Sequence, residues 1–254
     1  MDDRAVSEVL SYVLVFTLIL ASIAVVSVSG LGTLRSARDA TQINNAERAF
    51  DVLADNMADV YERAAPSRAT EINVGSASLY TGENVTINVT ARDADTPERI
   101  DASVERTTRP LIFRGEGGAK LVYVGGMVFR QDRGGGIVLN RAPVVARSDR
   151  VYVPVLGLRT NGTRSFSGST VLVRANERRS NVPIADTAGR YENVTVNVTS
   201  PRASLWRSAL SDAGFDCFNE RTTSPRRVAC RVQTGGGIPA VYVSTHRIVV
   251  DVEG

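Results

Sequence analysis

Hydrophobic and polar positions divide the chain into three regimes. From Val9 to Leu34 no charged side chain interrupts 26 consecutive residues, which as a helix span about 39 Å, more than the ~30 Å hydrocarbon layer of a bilayer. Tyr12 at one end and Ser27, Ser29, Gly30, Gly32 and Thr33 at the other are more polar than the centre, so the strongly apolar part is Val9 to Val28. Beyond Arg35 the pattern changes kind. Ile43, Ala46, Phe50, Leu53, Met57 and Val60 are spaced by 3, 4, 3, 4 and 3, the 3.5-residue period of packed helices. Asp39, Glu47, Arg48, Asp51, Asp55, Asp59 and Glu62 mark the wet face between them. Pro66 opposes continuation. The prediction is one rod of roughly 60 residues, apolar first and amphipathic later. Its seam, under three heptads long, favours packing on the chain's own β-region over packing on other copies.

From about Glu71 the period becomes two. Val85, Ile87 and Val89 alternate with Thr86, Asn88 and Thr90, and Val194, Val196 and Val198 alternate with Thr195, Asn197 and Thr199. Further strands are predicted at Leu121 to Val124, Met127 to Arg130, Ile137 to Leu139, Val151 to Leu156, Thr170 to Arg174, Ala240 to Ser244 and Arg247 to Val252. Gly134-Gly135-Gly136 and Gly235-Gly236-Gly237 punctuate them. The fold class is α+β: a long N-terminal transmembrane and stem helix, then a mainly antiparallel, β-sandwich-like head with one short helix. That short helix is predicted from Ser200 as N-cap and Pro201 as first residue to about Ala213, with Gly214 as its stop. Leu205, Trp206, Ala209 and Leu210 form its buried face. The stretches ENVTINVT (Glu83 to Thr90) and ENVTVNVT (Glu192 to Thr199) echo one another, but their flanks do not match, which favours convergent use of Val and Thr over duplication.

The apolar run has three readings. A cleaved secretory signal would use the small residues of Ser22-Ile23-Ala24, but the MDDR start is acidic and the run continues beyond that point. An uncut single-span anchor is the second. Counting arginines, Arg4 before the span against Arg35 and Arg38 after it, would leave the following domain in the cytoplasm. The third comes from a resemblance. Arg4-Ala5 followed by Val6-Ser7-Glu8 and a long apolar helix resembles the class III signal of archaeal, in particular haloarchaeal, type IV pilin-like surface proteins. The resemblance implies that a prepilin peptidase cuts between Ala5 and Val6, leaving Glu8 third in the mature chain and the helix retained. It implies a leader over 1–5, a helix and stem over 6–65 and an extracellular head over 66–254. Arg4, Ala5, Val6 and Glu8 are then the processing and assembly residues. Independently, a carboxylate in a first helical turn meets the positive end of the macrodipole, and Ser7 is a natural N-cap beside it. In a filament Glu8 could instead meet a neighbour's α-amino group. The Trp-bearing helix and the run YVGGMVFRQDRGGG ending at Gly136 also look like the heads of haloarchaeal surface proteins.

Charge and cysteines sharpen the division. Residues 1 to 62 hold 9 acids and 4 bases, net −5, and residues 63 to 254 hold 18 acids and 26 bases, net +8. Cys217 and Cys230 lie 13 apart in a turn-rich stretch, so they are either a disulfide or two unrelated buried thiols, and the redox compartment decides between them. Five N-glycosylation sequons, at Asn84, Asn88, Asn161, Asn193 and Asn197, require an exported domain and exposed side chains.

Catalytic constellations are sparse. His246 is the single histidine, which excludes a zinc site of histidines, and it is read as a strand-surface residue. Gly115-Glu116-Gly117-Gly118-Ala119-Lys120 lacks the spacing and hydroxyl of a phosphate loop and reads as a turn. Asp93 and Asp95 lack the partners of a calcium loop, so neither metal nor cofactor is assigned and no enzyme is read. Arg226, Arg227 and Arg231, with Arg174, Arg178 and Arg179, form two local basic groups suited to phosphate or acidic glycans, but without interleaved aromatics they do not make a nucleic-acid surface. The reading is a pilin-like or minor-pilin surface protein whose partners are membrane lipid, prepilin peptidase and other pilin-like subunits. Alternatives are a monomeric anchored β-domain for adhesion, cell-wall contact or sensing, and a surface carbohydrate-active enzyme.

Overall fold

The computed structural model describes residues 3–96, 98–161, 165–168 and 170–254, with the backbone alone for 3–9, 28, 29 and 31. It divides into two compact units, Met1–Asn44 and Asn45–Gly254. Helix α1 (Asp3–Glu62) is the described part of the first and the opening element of the second. Because α1 begins at Asp3, Ser7 lies inside the helix and is not its cap. Within the first unit, the large apolar side chains from Leu10 to Val26 are all 49–72% exposed.

The second unit continues with β1 (Arg68–Asn73), β2 (Ser78–Thr81), β3 (Val85–Asp93), β4 (Ile100–Thr108), β5 (Leu111–Arg114) and β6 (Lys120–Val124). Next come β7 (Met127–Asp132), β8 (Gly135–Val138), β9 (Val145–Ala146), β10 (Arg150–Asn161), β11 (Ser165–Ser167) and β12 (Thr170–Asp186). It ends with β13 (Tyr191–Thr199), α2 (Ala203–Asp212), β14 (Asp216–Arg221), β15 (Arg227–Gln233) and β16 (Ala240–Glu253). Three sheets form, in the orders β1-β12-β16-β10-β9, β11-β2-β5-β6-β7-β8 and β14-β15-β13-β3-β4. All described pairs are antiparallel except β10 with β16, which run parallel. The two predicted strands Ala240 to Ser244 and Arg247 to Val252 are one 14-residue strand, because Thr245 and His246 between them pair with Val155 and Leu156 of β10 and with Asn181 and Ser180 of β12. Gly135 and Gly136, expected as punctuation, lie within β8.

The echoing stretches are neighbours. β3 and β13 pair with Asn88 opposite Asn197, Val89 opposite Val196 and Thr90 opposite Thr195. Their valines join one apolar cluster with Val122, Phe129, Val151 and Val243 of the other two sheets. The opposite side of those two sheets takes the stem. Phe50 meets Phe113 edge-to-face at 6.4 Å, Tyr61 stacks obliquely on His246 at 5.6 Å, and Asn56 Nδ2 donates to Thr70 Oγ1 at 2.9 Å. Arg130 of β7 pairs with Glu47 of α1 at 2.7 Å. Sheet residues covered on both faces cannot alternate, so Leu111–Phe113 and Leu121–Val124 are buried without interruption.

Helix α2 buries Ala203, Leu205, Trp206, Ala209 and Leu210. It starts two residues later than expected, with Arg202 at the N-cap, because the Ser200 hydroxyl accepts the Arg202 amide at 3.1 Å in the preceding turn. Gly214 ends it at φ +100°. Trp206 lies against Gly125, which with Gly126 forms the two-residue turn joining β6 to β7, where both glycines have positive φ. The Trp-bearing helix and the YVGGMVF run are thus in direct contact.

Candidate functional site

The largest surface with an unmet physical demand is the first part of α1. The segment is long and apolar enough to cross a membrane. Two of its hydroxyls bond within the helix: Thr17 donates to the Val13 carbonyl at 2.8 Å, and Ser22 to the Leu18 carbonyl at 2.8 Å. Such back-bonding means that neither hydroxyl would be stranded in lipid. The α1 backbone runs through Arg4, Ala5, Val6 and Glu8, whose side chains, like residues 1 and 2 entirely, lie outside the described residues.

Sequons occupy the β-unit. Asn84 is exposed and accepts from Arg109 Nε at 3.0 Å, and Asn161 is exposed and donates to Asp251 at 2.9 Å. The hydroxyl residue of the Asn161 sequon, Thr163, lies outside the described residues. Asn88 and Asn197 are half-buried on the polar face of the β3–β13 pair. Asn193 departs from the exposure expected of it: it is 5% exposed, and its Oδ1 accepts the hydroxyl of Thr195 at 2.8 Å. Cys217 and Cys230 face each other across the β14–β15 pair and are joined by a disulfide.

The two local basic groups spread over different strands. Arg227 and Arg231 stand on β15, Arg231 lying over the Phe218 ring at 4.7 Å, while Arg226 donates to the Pro201 carbonyl at 3.1 Å. Arg174 lies opposite Asp251 and Arg179 opposite Arg247 in the β12–β16 ladder. The Gly115–Ala119 segment is a hairpin turn whose Gly115 and Gly118 amides bond within the turn. At Asp93, the Asp95 amide and Arg190 hold the carboxyl below its ordinary range, so its oxygens are already engaged.

His246 corrects the sequence reading most sharply. It is 8% exposed, not a surface residue. Its Nδ1 lies 2.7 Å from Glu177 Oε1 and its Nε2 3.0 Å from Ser244 Oγ. Donation of Nδ1–H to the carboxylate leaves Nε2 to accept the serine hydroxyl, and the Tyr152 hydroxyl, 3.3 Å from that serine oxygen, donates into the same chain. This is the connectivity of a nucleophile, base and acid. However, Ser244 is 5% exposed and Tyr61 covers the imidazole, so the array works as a satisfied polar network between stem and sheet. Burial, with the Glu62 carboxylate, pushes the Tyr61 hydroxyl well above the ordinary tyrosine range. Ser-x-His on one strand face is visible in sequence. Glu177 could join it only once the β12–β16 register was known.

These features define a class: a single long apolar N-terminal helix followed by a mainly antiparallel β-rich domain with one short helix. The family model described as "Family of unknown function (DUF7289)" matches residues 4–251, and the chain belongs to that family. No curated protein and no solved structure matches it.

Proposed function

We propose that this chain is a pilin-like cell-surface structural protein, held in the membrane by the first part of α1, carrying its β-unit outside the cell, and assembled through that helix into a filament. One observation supports the reading above the rest. Along one helix, the apolar side chains from Leu10 to Val26 are 49–72% exposed, whereas Ala46, Phe50, Leu53, Met57 and Val60 are at most 3% exposed. The stem is satisfied by its own β-unit, and the leading segment needs an apolar environment from elsewhere. Lipid supplies it first; neighbouring helices replace lipid in a filament core. Prepilin-type processing between Ala5 and Val6 leaves Glu8 in the first turn of the mature helix, where a carboxylate is favoured.

The test combines three measurements on native cells. Mass spectrometry of the mature chain is expected to find Val6 at the amino terminus; an intact Met1 or a cut after Ala24 would overturn the processing step. Protease added to whole cells should remove the β-unit, and its survival would overturn the outward topology. Shearing should release the chain in filaments, whereas complete retention in membranes would leave a monomeric tether in place of a subunit.

A further inference from the structure

A cleft of about 460 Å³ opens between β4, β10, β12 and β16 of the β-unit, a volume within the range of small-ligand sites. Arg106, Arg159, Arg179 and Arg247 line it against a single acid, Glu105, a net lining charge of +4 − 1 = +3. Glu105 is already occupied, accepting from Asn88 Nδ2 at 3.2 Å, and Arg106 is steadied by the Glu105 carbonyl at 2.8 Å. Among the described residues no ion pair engages Arg159, Arg179 or Arg247.

The register makes this costly to the free fold. Arg179 and Arg247 are directly opposite in the antiparallel β12–β16 ladder, where like charges repel. On the other side of Arg247, the parallel partner is Gly157, which has no side chain to fill the space beside the guanidinium. A Cβ there would approach the backbone no closer than 3.6 Å, so packing does not demand the glycine. What the glycine leaves is room on the cleft floor. Alongside, the Thr245 hydroxyl donates to Asn181 Oδ1, which leaves the Asn181 amide hydrogens to donate elsewhere.

We infer that this cleft binds an anionic saccharide, its carboxylate or sulfate held between Arg179 and Arg247 and its hydroxyls by Asn181 and Thr107. Guanidinium forks match planar and tetrahedral oxyanions through paired hydrogen bonds. No Phe, Tyr or Trp lines the cleft for a base to stack on, and the His246 ring is engaged by Glu177, Ser244 and Tyr61, which favours a sugar over a nucleic acid. The inference does not rest on the pilin-like reading, since a β-unit in any location would hold the same cleft.

Titration calorimetry on the full chain in detergent micelles tests it, with tetragalacturonate and a sulfated disaccharide as probes. Maltotetraose serves as the neutral control and decathymidylate as the nucleic-acid control. At least one acidic sugar should bind, more weakly as salt rises, and R179Q/R247Q should weaken it about tenfold or more. Both arginines are exposed and repel each other, so the double variant should melt no lower than the parent, which separates lost binding from lost folding. Gly157→Leu, which keeps every charge but fills the floor, should weaken binding too. Equal affinity in parent and R179Q/R247Q would overturn the site, as would failure of both acidic sugars or equal binding of maltotetraose. Tighter binding of decathymidylate than of either sugar would overturn the saccharide assignment.

Discussion

Helix α1 contains two stretches that both present large apolar side chains, with opposite fates. Leu10 to Val26 form an uninterrupted run in which exposure never falls below 49% for a large apolar side chain. Ala46 to Val60 form a one-sided stripe in which every seam residue is buried. The difference lies in where polar residues fall. In the stem, Glu47, Arg48, Asp51, Asp55 and Asp59 fall between the seam residues, which fixes one face to water and so one face to a sheet. In the leading run no position is reserved for water, so no single docking face exists and the whole circumference asks for an apolar solvent. The leading run is both more apolar and free of charge, and in the stem it is the placement of charge that selects the face that docks.

The comparison breaks most visibly under a pair of substitutions, one in each stretch. Phe50→Ala removes a fully buried ring from its edge-to-face contact with Phe113 and should cost about 3–5 kcal/mol of β-unit stability. That loss would be read as a lowered midpoint in denaturant, with membrane retention unchanged. Leu18→Arg, at a position 64% exposed, should cost roughly 3 kcal/mol of insertion free energy. It should shift the chain from membrane to soluble fractions while the denaturant midpoint of the β-unit stays put. If both substitutions moved both readouts, the two stretches would not be separable in function.

A sharper test of the β-unit concerns the Gly125-Gly126 turn. A Cβ on Gly125 would sit 2.6 Å from the Trp206 ring, at a backbone φ of +60°. Gly125→Ala therefore combines left-handed strain with displacement of the α2 anchor and should destabilise by about 2–3 kcal/mol. Gly118→Ala is the control, with φ +88° but open space around it, and should cost only the strain, about 1 kcal/mol. Thermal melts that failed to rank the two would show that Trp206 does not lock the turn.

How much of this could be read beforehand depended on whether one side of an element faced water. The stem seam, the Trp206 face of α2 and the alternating strands β3 and β13 were legible, because each has a wet side that imposes a period. β5 to β7 are covered on both faces, so their strands could be placed in part but not paired. β4 was missed although Ile100, Ala102 and Val104 alternate with Asp101, Ser103 and Glu105, because the alternation lapses into Arg106-Thr107-Thr108 and only Val104 and Thr108 of its nine residues are buried. β12 runs through the charged stretch Glu177 to Ser180 because the ladder with β16, bulges included, supplies its backbone partners. Arg226, Arg227 and Arg231 were visible as a local group. The Arg106, Arg159, Arg179 and Arg247 cleft was not, since it draws on four separate strands and exists only through their register.

The smallest predicted effect is at the end of the stem, where helix gives way to sheet. Ala64 has φ +53°, the only non-glycine residue with positive φ among the described residues, and the Ala65 amide returns to the Asp59 carbonyl across it. An alanine in this region brings its Cβ against the backbone at a cost of about 1–2 kcal/mol, whereas glycine occupies it freely. Ala64 is exposed, so its methyl group contributes no buried packing that glycine would forfeit. Against the relief stands the greater unfolded-state freedom of glycine, worth about 0.4–1 kcal/mol. The balance favours Ala64→Gly by about 0.5–1 kcal/mol, a rise of about 1–4 °C in the melting temperature of the β-unit. A fall instead would mean that the methyl group, not the turn, holds the stem end in place.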